Sequence, residues 1–140
     1  MKTVFIDSNI WIYAHVRADD EEKRSRALEL LESSLRDSRI VSSVQVVNEF
    51  HWILERKYTV KKDVIARKVR SIIKIAHIAP VTITTYHGAL QLRKDYKLSF
   101  WDSLIVASAL ENDAENLYSE DMQHGQTVRK RLTIRNPFIT

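Results

Sequence analysis

Apolar residues along this chain fall into two alternating patterns: short continuous runs, and longer stretches with an apolar position every three or four residues. The first pattern marks buried strands and the second amphipathic helices. Residues 3–6 predict the first strand, and 10–14 a short helix after it. Asp19 with Glu22 reads as a cap for a helix whose apolar positions are Ala27, Leu28, Leu30, Leu31 and Leu35. Residues 40–41 predict a second strand. Ser43 then caps a helix reaching about Arg56, and residues 61–75 form another. Beyond Pro80, residues 81–83 predict a third strand, Thr85 caps a helix through Lys94, and Ser99 caps one from 100 to 112. Residues 116–119 predict a fourth strand and 132–134 an edge strand.

Strands alternating with helices imply a mostly parallel sheet covered on both faces, an α/β/α sandwich. With two Gly, two Pro, no repeat and no linker-like tract, the 140 residues are expected to form one domain, 1–140. Ligands of such sheets bind outside the carboxyl ends of the strands. Asp7 and Asp121 both fall at such ends.

Four acids stand where a carboxylate is locally awkward. Asp7 ends the first apolar run, and an Asp there is also a common helix cap. Glu49 lies on the rim of a helical face made by Val46, Phe50, Ile53 and Leu54, where a Glu ordinarily reaches solvent. Asp102 points where Ile105, Val106 and Ala109 point, on a helix apolar nearly all round. Its ordinary alternative is a capping box with Ser99. Asp121 follows Ser119 and Glu120 in a polar turn. A buried lone carboxylate is costly, so a shared cation is the simplest partner for all four. Carboxylates without clustered His or Cys select hard ions, Mg²⁺ or Mn²⁺. Such an ion activates water and offsets charge on a phosphodiester.

Composition narrows the classes further. There is no Cys, which excludes disulfides, thiolate zinc and a Cys nucleophile, and suits a reducing cytoplasm. Asp7 interrupts the N-terminal apolar run before it resembles a signal peptide, and no run approaches a membrane span. The net charge is +4, but residues 1–60 carry −1 and residues 61–140 carry +5. A cationic surface around an acidic centre suits a polyanionic substrate.

In order, these residues resemble the PIN domain family, specifically the single-domain VapC-type toxin ribonucleases. The resemblance rests on Asp7-Ser8-Asn9, Val47-Asn48-Glu49-Phe50, Phe100-Trp101-Asp102-Ser103-Leu104-Ile105 and Leu117-Tyr118-Ser119-Glu120-Asp121. The tail Leu132-Thr133-Ile134-Arg135-Asn136-Pro137-Phe138 is similar to the family's last strand. The resemblance implies that Asp7, Glu49, Asp102 and Asp121 hold one or two Mg²⁺ or Mn²⁺ ions, supported by Asn9 and Ser119. It further implies hydrolysis of RNA phosphodiesters, a homodimer, and a cognate antitoxin that occupies the site. The alternatives are a metal nuclease acting on DNA and a PIN-like domain that binds RNA or protein without cutting.

Other features are weighed against bland readings. Arg129-Lys130-Arg131 is a candidate substrate-binding run, being close in sequence to Asp121. Arg67, Arg70 and Lys74 form a stripe that tracks an RNA backbone or is simply a solvated face. Glu120 and His124 are near enough in sequence to join the site; the five His show no paired metal spacing. Trp11, Trp52 and Trp101 fall on helix patterns and read as core or dimer contacts rather than base-stacking platforms.

Overall fold

The computed structural model describes residues 1–17 and 20–139. Its elements in order are β1 (Lys2–Ile6), α1 (Ser8–His15), α2 (Glu21–Asp37), β2 (Ser38–Ser43), α3 (Val44–Arg56) and α4 (Lys62–Ile75). They continue with β3 (His77–Ala79), α5 (Ile83–Asp95), α6 (Phe100–Glu111), β4 (Asn116–Tyr118), β5 (Thr127–Val128) and β6 (Leu132–Arg135). The sheet order is β3-β2-β1-β4-β6-β5, parallel except for the β5–β6 pair. Helices cover both faces, giving the expected α/β/α sandwich.

β1 lies near the centre, and its consecutive buried Val4, Phe5 and Ile6 are what a strand covered on both faces requires. The other filler of the core is α6, buried without a break from Ser103 to Ala109. Trp11 is fully buried, and its indole N–H donates to Ser42 Oγ at 2.9 Å, which in turn donates to Ile6 O at 2.6 Å. That chain leaves no polar group of the buried Trp unmet. Among the described residues no helix is long and apolar enough to cross a membrane.

The chain leaves β1 in one direction to β2 and β3, then returns to the other side at β4. The crevice between β1 and β4 is therefore the switch point where open parallel sheets bind their ligands. Residues 7 and 119–121 lie at the carboxyl ends that flank it.

Several local expectations are corrected. The third strand is His77–Ala79, before Pro80 rather than after it. Thr82 and Thr85 close a full capping box, each side chain bonded to the other's backbone N–H, so the β-branched run starts α5 instead. Thr85 is the third helical residue, not the cap. The strand at Leu132–Arg135 is not an edge, because β5 pairs antiparallel outside it and helps bury Leu132 and Ile134. The Asp19 cap lies outside the described residues; Asp20 caps α2, accepting from Lys23 N at 3.1 Å. On α2, Ala27 and Leu31 are buried while Leu28 and Leu35 are exposed. Ser43 and Ser99 cap α3 and α6 as expected.

Candidate active site

Asp7 follows β1 and caps α1. It is buried, and both oxygens are taken: Oδ1 accepts from Ser8 N at 2.7 Å and Oδ2 from Ser119 Oγ at 2.8 Å. Asp7 is thus a helix cap, and its second oxygen is turned to the end of β4. Each partner of Asp7 also reaches a second acid. Ser8 Oγ donates to Glu49 Oε2 at 2.9 Å, and Ser119 Oγ accepts from Asp121 N at 3.2 Å. Asn9 adds another brace, donating to Asp121 Oδ2 at 3.0 Å and accepting from Glu120 N at 3.3 Å. Two hydroxyls and one amide thus stitch the ends of β1 and β4 to α3.

Glu49 projects from α3 on its half-buried flank. Besides Ser8 it accepts from Gln45 Nε2 at 3.2 Å, one helical turn earlier. Gln45 also donates to Trp101 O at 3.2 Å, which ties α3 to the start of α6. Glu49 is held in place rather than reaching freely into solvent. Ser8 and Gln45 were not singled out as site residues from sequence. Ser8 sits inside the Asp7-Ser8-Asn9 motif, and Gln45 is at i−4 to Glu49, so spacing carried a signal for both.

Asp102 occupies the first turn of α6, where Ser99 Oγ accepts its backbone N–H at 3.1 Å. The reciprocal arm of a capping box, Ser99 N–H on the Asp102 carboxylate, is not made. Its carboxyl is half-buried, and its pKa is raised first by that burial. The Ser99 hydroxyl opposes the shift, and the charges of Asp121 and Glu49 add to it. The Asp7 pKa is pushed up to about 7, chiefly by burial, with Glu49 and Asp121 adding to the rise. Only Ser119 and the Ser8 N–H oppose it. The four acids therefore share one field, and no Lys or Arg offsets the pair whose pKa is displaced. The donor set is entirely oxygen. Among the described residues, no group of three or more His, Asp or Glu side chains is disposed to hold a metal ion.

The other candidates lie elsewhere. Glu120 turns away from the acids to accept from Tyr13 OH at 2.8 Å and to pair with Lys23 Nζ. His124 Nδ1 accepts from Asn136 N at 2.9 Å and serves the tail. Arg129-Lys130-Arg131 is brought nowhere near the acids. These residues form the tight β5–β6 turn, closed by Arg131 N to Val128 O at 3.1 Å, with φ of 53° at Arg129 and 57° at Lys130. Since β6 runs parallel to β4, the turn sits at the amino edge of the sheet, opposite Asp7 and Asp121. Arg129 pairs there with Asp95 at 2.6 Å and Arg131 with Asp113 at 3.8 Å. Nearness in sequence misled because β6 must first return to the sheet's amino edge. Trp11 belongs to the core as expected, but Trp52 and Trp101 are 58% and 63% exposed.

The PIN domain family model matches residues 4–129, a span from β1 through β5. The chain belongs to the PIN domain family. Solved PIN-type structures repeat its fold. A toxin–antitoxin complex from Klebsiella pneumoniae aligns with a TM-score of 0.71 at 18% identity, covering 96% of this chain and 98% of that one. VapBC2 from Rickettsia felis, bound to a DNA fragment from its promoter, aligns at 0.66 and 18%, covering 85% and 88%. VapC20 from Mycobacterium tuberculosis, a sarcin–ricin loop cleaving toxin, aligns at 0.64 and 18%, covering 81% and 86%. At that identity the likeness concerns the fold. No curated protein matches the chain by sequence.

Proposed function

We propose that this PIN domain is a divalent-metal-dependent endoribonuclease and the toxin of a toxin–antitoxin pair. The observation that carries this reading is the gathering of Asp7, Glu49, Asp102 and Asp121 around the β1/β4 switch point, with no Lys or Arg offsetting Asp7 or Asp102. A scaffold has no use for four like charges in one field, since each raises the cost of ionising the others.

The donor chemistry fits Mg²⁺ or Mn²⁺. The oxygens are hard, and Mg²⁺ keeps several waters, so it needs only one or two carboxylates rather than a closed protein cage. When bound by these acids, such an ion supplies an activated water and offsets charge on the phosphodiester. The chain's own residues do the positioning. Ser119 and Ser8 fix the Asp7 carboxyl, Asn9 orients Asp121, and Gln45 aims Glu49. Asp102, whose carboxyl is half-buried at the start of α6, would orient the attacking water or take its proton.

The reading takes residues 1–140 as one nuclease domain acting in the cytoplasm. It also includes a homodimer and a cognate antitoxin that covers the acids; the similar structure from Klebsiella pneumoniae is a toxin–antitoxin complex. The test is cleavage of labelled single-stranded RNA and matched DNA in Mg²⁺, Mn²⁺ or EDTA, with wild type beside Asp102→Asn. Metal-dependent cutting of RNA that vanishes in the variant is the expected result. Equal activity in both proteins, or none in wild type across varied RNAs, would overturn the proposal.

A further inference from the structure

Between Ser119 and Asp121, which reach Asp7 and Asn9, Glu120 is held by a different set of groups. All four of its polar groups are engaged. Its N–H donates to Asn9 Oδ1 at 3.3 Å, and its carbonyl accepts from Asn136 Nδ2 at 3.4 Å. Oε1 accepts from Tyr13 OH at 2.8 Å, and Oε2 pairs with Lys23 Nζ. Asn9 and Tyr13 stand one turn apart on α1, so one helix holds Glu120 at two points. Lys23 Nζ also donates to Tyr13 OH at 3.4 Å and lies 5.2 Å and 5.6 Å from the ring centroids of Tyr13 and Phe138. Those rings meet edge-on at 5.1 Å, which ties in the C-terminal tail.

Two features separate this bracket from an ordinary surface pair. Lys23 is the third residue of α2, and a cation in the first turn of a helix opposes the helix dipole. Its position is locally unfavourable and is offset by a partner 97 residues away. The second feature is what Glu120 adjoins. Residues 120 and 121 lie between β4 and β5, where side-chain bonds rather than a strand ladder hold the backbone. The Asp121 side chain is exposed. Peptide planarity leaves only φ and ψ free between the two residues, so fixing Glu120 on every side limits where the Asp121 carboxylate can point.

Two other roles for Glu120 compete. A fifth metal ligand would face the acids, whereas this carboxylate is taken by Tyr13 and Lys23. A simple fastening would serve stability, yet a pair whose side chains are 34% and 22% exposed adds little of it.

We propose that Lys23 and Glu120 are positioning residues for Asp121. With Tyr13 they lock the turn beyond β4 so that the Asp121 carboxylate stays with the acid cluster, ready for a divalent cation. This rests on the metal-nuclease reading and deepens it by naming the residues that hold its fourth acid.

The experiment is titration with Mn²⁺ alone, followed by electron paramagnetic resonance of the free ion. Wild type is compared with Lys23→Met, Lys23→Arg, Glu120→Gln and the double variant Lys23→Met with Glu120→Gln. Backbone amide exchange in EDTA and urea midpoints are measured on the same proteins. Lys23→Met keeps the apolar stem and removes the ammonium. It is expected to weaken Mn²⁺ binding about 10-fold, the scale of losing a group that orients a metal ligand. The Glu120 and Asp121 amides exchange faster in it, while those of β1 and α6 are unchanged and the urea midpoint moves little. Lys23→Arg restores the affinity. The double variant binds no more weakly than Lys23→Met, because the pair acts as one unit.

Unchanged Mn²⁺ affinity in Lys23→Met overturns the proposal. Tighter binding also overturns it, since Glu120 would then be a ligand that Lys23 withholds. A weaker affinity accompanied by faster exchange throughout and a large fall in the urea midpoint makes the pair structural only. The metal reading beneath the proposal fails separately. If wild type takes up no Mn²⁺ while Lys23→Met still frees the Glu120 and Asp121 amides, that reading fails and the hold on the turn stands. If wild type binds Mn²⁺ and cuts RNA, and Lys23→Met does both equally well, the positioning role fails and the nuclease stands.

Discussion

The two edges of the sheet handle charge in opposite ways. At the amino edge, Arg129 and Arg131 each meet an Asp, and Tyr96 OH accepts the Arg129 backbone N–H at 2.9 Å. At the carboxyl edge, four acids meet hydroxyls, amides and one another, and the most buried of them has its pKa pushed up to about 7. The paired end has the arrangement expected of structure, a hairpin fastened to its neighbours. The unpaired end is unfavourable until something positive arrives. Incomplete compensation, rather than charge itself, distinguishes a site from a fastening.

If that contrast is sound, the largest effect belongs to the acids. Asp121→Asn should reduce RNA cleavage by about 100-fold or more, the scale of losing a group that acts on the reacting centre. In chelator it should leave the folding midpoint unchanged or higher, because one repulsion is removed. Urea unfolding beside the cleavage assay checks both, and a strong loss of stability would show that the acids are structural after all.

Next is a pH effect on metal-free protein. The Asp7 pKa is about 7 folded against 3.8 ordinarily, so the folded state holds this proton more tightly. Its contribution is complete below about pH 4 and is lost as pH rises through 7. Stability in chelator should therefore be greater at pH 5 than at pH 8, by on the order of a few kcal/mol. Asp7→Asn should flatten the profile, and Mg²⁺ should recover stability at pH 8. A profile that is flat in wild type would mean that Asp7 is already compensated.

Ser119→Ala comes third. It removes the hydroxyl that joins Asp7 to the Asp121 backbone, which should raise the Asp7 pKa further and cost about 1–2 kcal/mol at neutral pH. An NMR titration of the Asp7 carboxyl would show the shift, and no movement would remove Ser119 from the site.

The smallest effects belong to the amino edge. Arg129→Ala should cost no more than about 1 kcal/mol, as half-exposed ion pairs do, with cleavage unchanged. Lys130→Gly should stabilise by about 1 kcal/mol, since a φ of 57° suits Gly and strains Lys. A large fall in cleavage from either change would return this turn to substrate binding and erase the contrast.

Much of the scaffold was legible because it is locally encoded. The buried run of β1, the caps Ser43 and Ser99, and the all-round apolar α6 follow from period and capping chemistry. So did the alternation that requires a parallel sheet. The four acids could be named from their awkward neighbours and from the ordered motifs that resemble the family. Elsewhere local signals competed. Val81 and Ile83 look like strand residues, yet the Thr82–Thr85 box starts a helix at Ile83 and leaves Val81 just before its cap, and the true strand of three residues exists by pairing with β2. β5, two residues long, has no signature of its own and exists because β6 offers it an edge.

Only the tertiary structure decided which charges meet. Strand order put Asp7 and Asp121 at one crevice and sent Arg129 and Arg131 to the opposite edge, although residues 121 and 129 are close in sequence. It also exposed Trp52 and Trp101 while burying Trp11, three tryptophans on similar patterns. A sequence states which side chains a helix face carries. Whether that face meets the core, a neighbouring acid or open solvent depends on how distant segments stack, and local periodicity holds no information about that.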